Sequence, residues 1–237
     1  MLSFWNGDIS TDLGKMRGLE QIMWDAYDRP EWFHKLLRFM RDGILKVHAE
    51  AEASNDFSYA NHQNQAMTYA EELKDPAPSI YGAKRKDLWW YMASQEYTTF
   101  GPDLYNEFLL QYQVPILDKF GLISYGCCED LTNKIHYLKK IKNLRRIGVS
   151  PFANVKRCAE QIGKDYILSW RPNPATMISR GLDENYVRRH MQDIFKIFKD
   201  HGNHFDITLK DVETINRQPQ NVSRWVQIVR EEIDKAF

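Results

Sequence analysis

The sequence predicts an α/β protein built on a parallel sheet, and three observations lead to that reading. Short β-type runs alternate with helical patterns along most of the chain. From residue 122 onward the alternation settles into four successive strand–helix units, which favour parallel strands joined by helical crossovers. The 237 residues, 43% of them hydrophobic, are enough to bury a sizeable core as one α/β barrel or as two small domains. No linker, low-complexity stretch or short repeat divides the chain, so a single domain over 1–237 is expected.

The elements follow from local pattern. Leu2–Trp5 reads as a strand entering a polar loop at Asn6–Ser10. Helices are expected near Asp12–Tyr27 and over Pro30–Ala53. In the second, Pro30 suits the first helical position, and Phe33, Leu36, Leu37, Met40, Ile44 and Val47 form one stripe. Residues 54–86 read as a long loop punctuated by Pro76, Pro78 and Gly82, and loops of that length are commonly functional. Trp89–Gln95 is a strand candidate. Pro102 opens a helix that Pro115 should kink or divide. Strand Leu122–Cys127 precedes a helix carrying Leu131, Ile135, Leu138 and Ile141. Strand Arg145–Ser150 precedes a helix started by Asn154, with Val155, Cys158, Ala159 and Ile162 inside. Strand Tyr166–Trp170 leads to a helix at about 183–200, and strand Phe205–Lys210 to a last helix near 221–235.

Charge and cysteine usage narrow the function classes. Lys plus Arg equals Asp plus Glu at 32 each, so no strong field selects nucleic acid or an anionic membrane as partner. Cys127, Cys128 and Cys158 make no secreted disulfide framework, and adjacent cysteines pair only under strain. A reducing, cytoplasmic setting is the expectation. No apolar run approaches the ~18 residues of a membrane span. There is no glycine-rich phosphate loop and no Gly-x-Ser-x-Gly elbow. No His-x-x-x-His or Cys-x-x-Cys pair marks a structural zinc site.

Candidate chemistry gathers at the strand ends. Strand side chains alternate between faces, so Tyr125, Cys127 and Glu129 are expected together on the face turned away from the helices. A carboxylate such as Glu129 would be costly against an apolar helix layer. Cys127 and Glu129 should open into the substrate pocket, with Cys128 turned away. A plainer reading makes the two cysteines small buried fillers and Glu129 a favourable residue at a helix start beside Asp130. Matching polar residues stand at the other strand ends: Gln95 and Glu96, Ser150, Arg171 with Asn173 behind it, and Lys210 with Asp211. Arg171 and Lys210 would orient acidic groups of a small-molecule substrate.

At these motifs the chain resembles the uroporphyrinogen decarboxylase-like superfamily, which includes corrinoid-dependent methyltransferases. The stretches that carry the resemblance are Tyr27-Asp28-Arg29-Pro30-Glu31-Trp32, Ser94-Gln95-Glu96 before Gly101-Pro102, Tyr125-Gly126-Cys127-Cys128-Glu129, Ser150-Pro151 and Arg171-Pro172-Asn173-Pro174. They fall in family order over nearly the whole chain. The resemblance implies a TIM (β/α)8 barrel with its ligand in the mouth of the strands. It implies methyl transfer or decarboxylation linked to a corrinoid or porphyrin, the corrinoid being carried on a partner protein. It also implies a zinc site in which Cys127 is a ligand; the residues themselves offer Glu129 as a second donor. Tyr125 stands where the methyltransferases carry a zinc-binding His, and Cys158 lies on a helix rather than in the third ligand's place. Against the family pattern the chain starts at about the third strand, giving about six of eight strands. An open barrel of that kind exposes sheet edges, and a homo-oligomer is expected to cover them.

Overall fold

A computed structural model of the chain describes residues 7–59, 70–75 and 80–237. The expected strand at Leu2–Trp5 and parts of the expected loop at 54–86 lie outside those residues. The chain folds as an α/β structure around a five-stranded sheet: β1 (Trp89–Met92), β2 (Leu122–Tyr125), β3 (Leu144–Val149), β4 (Ile167–Trp170) and β5 (His204–Ile207). All neighbours are parallel, and spatial order equals chain order, β1-β2-β3-β4-β5.

Three helices precede the sheet. Asp8 caps α1 (Ile9–Arg17) by accepting from the Ser10 amide at 3.0 Å. The single helix expected over 12–27 is two, because Gly18 (φ +77°) ends α1 and starts α2 (Leu19–Asp28). Buried Asp25 of α2 binds Arg17 at 2.7 Å and Arg29 at 2.6 Å, fixing both joints of the helical hairpin. The third helix, α3, spans Pro30–Ala53 as the periodicity predicts, with Phe33 and Leu37 fully buried. Of the expected stripe, Val47 is 47% exposed, so the apolar face narrows toward the helix end.

After β1 the chain turns through Gln95–Tyr97 into α4 (Pro102–Tyr105), a π-helical turn (Asn106–Leu110) and α5 (Gln111–Leu117). The division expected at Pro115 thus falls upstream, in the π turn, while α5 runs through Pro115. The helix expected after β2 shrinks to α6 (Ile135–Leu138), although Leu131, Ile135, Leu138 and Ile141 are all buried. Asn154 caps α7 (Val155–Ile162), Asn173 caps α8 (Pro174–Met177), and Asp183 caps α9 (Glu184–Asp200). The last helix, α10 (Gln220–Ala236), packs on α9 through Arg188, whose guanidinium reaches Glu231 at 2.5 Å and buried Glu232 at 2.6 Å.

The sheet has two unlike faces. Met92, Tyr125, Ile147, Leu168 and Phe205 lie in register on one face and join the main core together with helical residues such as Phe108, Ile116, Cys158 and Phe198. The other face carries Tyr91 beside Ser124 beside Arg146, then Gly148 beside Ser169 beside Asp206. Buried Arg146 spans β4 to form a two-pronged pair with Asp206 at 2.6 and 2.7 Å, and Ser169 Oγ donates to the same carboxylate at 2.8 Å. The polar face is buried too, since Ser124, Arg146 and Ser169 are each at most 1% exposed.

Candidate functional site

The site is built where β2 ends. Gly126 has φ +106°, a conformation that side chains resist, and it interrupts the alternation of the strand. An added Cβ would sit 2.7 Å from Leu131 Cδ1 and 3.3 Å from the Gly148 amide nitrogen, so the turn is packed tightly against β3. The consequence is a change of face. Tyr125 turns into the helix layer, where its hydroxyl donates to Gln113 Oε1 at 2.6 Å and accepts from Tyr105 at 2.8 Å. Cys127 emerges on the polar face with Tyr91 and Ala93. The expectation that Tyr125, Cys127 and Glu129 share one face is therefore corrected, and Tyr125 is a core residue.

Glu129 is also placed differently from the expectation. Its carboxylate is 1% exposed and accepts from the Ser94 amide (2.7 Å), the Ser94 hydroxyl (3.1 Å) and the Cys127 amide (2.8 Å). Both oxygens are committed to joining the end of β1 to the turn after β2. Arg171 does similar work from β4: its guanidinium donates to the carbonyls of Gly126, at 2.9 Å, and Cys127. It reaches them by passing over Gly148, where a Cβ would meet Arg171 Nη1 at 3.1 Å. Arg171 is 2% exposed, so it braces the turn instead of offering a charge to an incoming substrate as expected.

The sulfurs lie on this frame. Cys127 Sγ and Cys128 Sγ are 3.6 Å apart, and Lys210 Nζ stands 3.2 Å from each. Lys210 also pairs with Asp211 at 2.9 and 3.0 Å, and Asp211 accepts from Cys128 at 3.2 Å. Tyr91 hydrogen-bonds Cys127 from β1. Cys128 thus shares the lysine with Cys127 rather than turning away. The Cys127 thiol is pulled down to about 6, chiefly by the hydrogen bond from Cys128; burial opposes the shift, and Tyr91 and Lys210 reinforce it. The same interaction pushes Cys128 up, with burial adding to it. The first proton leaves the pair easily, and the thiolate it leaves behind holds the second. Burial alone would lower Lys210, but its bonds to Asp211 and Cys127 raise it, so the ammonium stays charged beside the sulfur. Burial likewise works against Asp211, whose bonds from Lys210 and Cys128 keep it below the usual carboxylate range.

The remaining expected residues are scattered around this centre. Glu96 turns to α1, accepting from Ser10 Oγ at 2.6 Å and packing on Gly14. Gln95 is half-buried in the turn after β1. Ser150 is fully buried at the end of β3, its hydroxyl accepting weakly from the Phe152 amide at 3.4 Å. Asn173 is exposed and serves as the cap of α8. Cys158 lies apart on α7, 3.6 Å from Thr132 Oγ1.

Three residues of the region were not singled out from the sequence. Tyr91 looked like one ring in an aromatic strand. Lys134, 3% exposed, donates to the Tyr97 carbonyl at 2.7 Å; burial lowers it to about 8 against the opposing pull of Glu129 and Asp130. Asp8 is raised to about 7, chiefly by burial, with Glu96 and Glu129 adding to the shift against the bond from Thr11. A charged residue inside a short apolar strand, as at Arg146 and Asp206, was a signal that could have revealed the polar face.

The donors do not suit zinc. Glu129 has no oxygen to spare, a lysine ammonium occupies the space between the two thiols, and no group of three or more metal-binding side chains occurs among the described residues. A cleft of about 370 Å³ lies elsewhere, lined by Ile167, Asn203, His204, Phe205, Asp206 and Phe237 near the starts of β4 and β5. No helix among the described residues is long and apolar enough to cross a membrane. No protein-family model matches the chain, and no curated protein matches it.

Proposed function

We propose that the chain is an enzyme of the uroporphyrinogen decarboxylase-like class, moving a methyl or carboxyl group on a small substrate in chemistry linked to a corrinoid or porphyrin. The observation that carries the reading is the lysine-held thiol pair at the C-terminal ends of parallel strands, where barrel enzymes place their chemistry. Cys127 is the nucleophile, and Lys210 supplies the positive charge beside it. A barrel-type winding is supported by strand order that never reverses and by a polar sheet face that is buried. A homo-oligomer that covers the outer edge of β5, where His204 is exposed, completes the proposal.

The test is to titrate the purified chain with cobalamin and with a porphyrin, following the absorbance of each ligand, and then to offer methylcobalamin and look for methylation by intact mass. Binding of either ligand, with methyl or carboxyl transfer lost in Cys127→Ser, supports the reading. Absence of binding and of Cys127-dependent chemistry would overturn it. One observation favours a second reading, a non-catalytic binding or assembly subunit: Glu129 and Arg171 are spent on internal braces. Full stability and unchanged ligand binding after Cys127→Ala would support that alternative.

A further inference from the structure

We propose that Cys127 and Cys128 form a redox-active dithiol that reduces small aliphatic disulfides by thiol–disulfide exchange. The inference needs neither a corrinoid nor a porphyrin, so it goes beyond the function proposed above and can fail separately from it.

Geometry carries it. The two sulfurs are 3.6 Å apart, and one ammonium stands 3.2 Å from both, so negative charge on either sulfur is met by the same cation. Asp211 contacts that ammonium and the Cys128 thiol together, which gives the second proton a way out. Among the described residues, the charged and titratable groups around the pair include Tyr91 from β1, Glu129 on the turn itself, Arg171 after β4, and Lys210 and Asp211 after β5. The third cysteine is fully buried on α7 and takes no part.

The chemistry balances. Cys127 thiolate attacks one sulfur of RS–SR, forming the mixed disulfide and releasing RS⁻. The released RS⁻ takes up a proton from solvent. Cys128 then attacks Cys127 Sγ, its proton passing by way of Asp211 to the second RS⁻ as that leaves. The dithiol loses two electrons, and the substrate disulfide gains them to become two thiols. A disulfide between neighbours is strained, because Cα atoms about 3.8 Å apart fall short of the usual separation of 4.4 Å or more. Strained disulfides are the more oxidising ones and are readily reduced again, so an excess of substrate disulfide drives the forward reaction and added thiol resets the centre. Cys127 is only 5% exposed and Cys128 half-buried, so access favours slender substrates.

The experiment mixes the reduced full chain with a large excess of 2-hydroxyethyl disulfide and follows released mercaptoethanol and intact mass. Wild type should release two thiols per chain and lose two hydrogens without retaining an adduct. Peptide mapping should then place the new bond between Cys127 and Cys128. Cys128→Ser should stop after one thiol and keep the adduct on Cys127, and Cys127→Ser should lose the reaction. A stable mixed disulfide on the wild type, a chain that stays reduced, or undiminished exchange in Cys127→Ser would overturn the proposal. Mapping the oxidised wild type decides the matter even if a variant fails to fold.

Discussion

Replacing Glu129 by Gln should destabilise the fold far more than its small change in shape suggests. The carboxylate accepts three hydrogen bonds, at 2.7, 2.8 and 3.1 Å, and is 1% exposed. An amide in the same place can aim its oxygen at Ser94 or at Cys127, never at both. The NH₂ end then faces a backbone N–H, leaving a buried donor without a partner at a cost of about 1–3 kcal/mol. The surviving bonds lose their charge assistance, which removes roughly another 1–2 kcal/mol. Lys134 also loses a favourable neighbour, because Glu129 is one of the two charges opposing its desolvation. A total of about 2–5 kcal/mol follows, or a drop in Tm on the order of 10 °C for a chain of this size. Urea and thermal unfolding of wild type and Glu129→Gln measure it directly. A difference below about 1 kcal/mol would refute the reasoning and return Glu129 to the set of groups free to act on a substrate.

Other perturbations test separate parts of the structure. Gly126→Ala forces a side chain into φ +106° and against Leu131, and should cost roughly 2–3 kcal/mol by urea denaturation while slowing Cys127 alkylation. Asp206→Ala strands buried Arg146 and should cost about 3 kcal/mol; the double variant Arg146→Met with Asp206→Leu should recover most of it. Asp8 is an acid raised from 3.8 to about 7, so the native state keeps a proton that the unfolded chain gives up; stability falls as pH rises from about 4 to 7. Asp8→Asn keeps the helix cap and should flatten that fall, leaving the variant more stable than wild type at pH 8 by at least ~1 kcal/mol.

Much of the fold was legible because periodicity and caps are local signals. The bounds of α3, the cap at Asn154, and the parallel order of the last four strands follow from spacing alone. The cluster around Cys127 was legible in position along the chain and misread in orientation. Alternation was carried from Ile123 through to Glu129, but one glycine with positive φ turns the chain over between Tyr125 and Cys127, and a glycine code letter does not reveal its φ. The partners of Glu129 and Arg171 are backbone groups, which every residue possesses, so nothing in the sequence distinguishes a brace from a substrate ligand there. Lys210 and Asp211 were placed at the correct strand end, yet their closeness to both cysteines depends on the path of the chain after Ile207.

The most direct test of the central claim is the pH dependence of Cys127 alkylation, read by iodoacetamide labelling and peptide mass analysis. A thiol lowered from 9.0 to about 6 should react at half its maximal rate near pH 6, and Lys210→Met should move that midpoint upward while leaving the fold intact. The sign is that of an acid with a depressed pKa: the thiolate predominates above about 6 and is lost as pH falls through that value. A Cys127 midpoint near 9, or one that Lys210→Met leaves unmoved, would contradict the account.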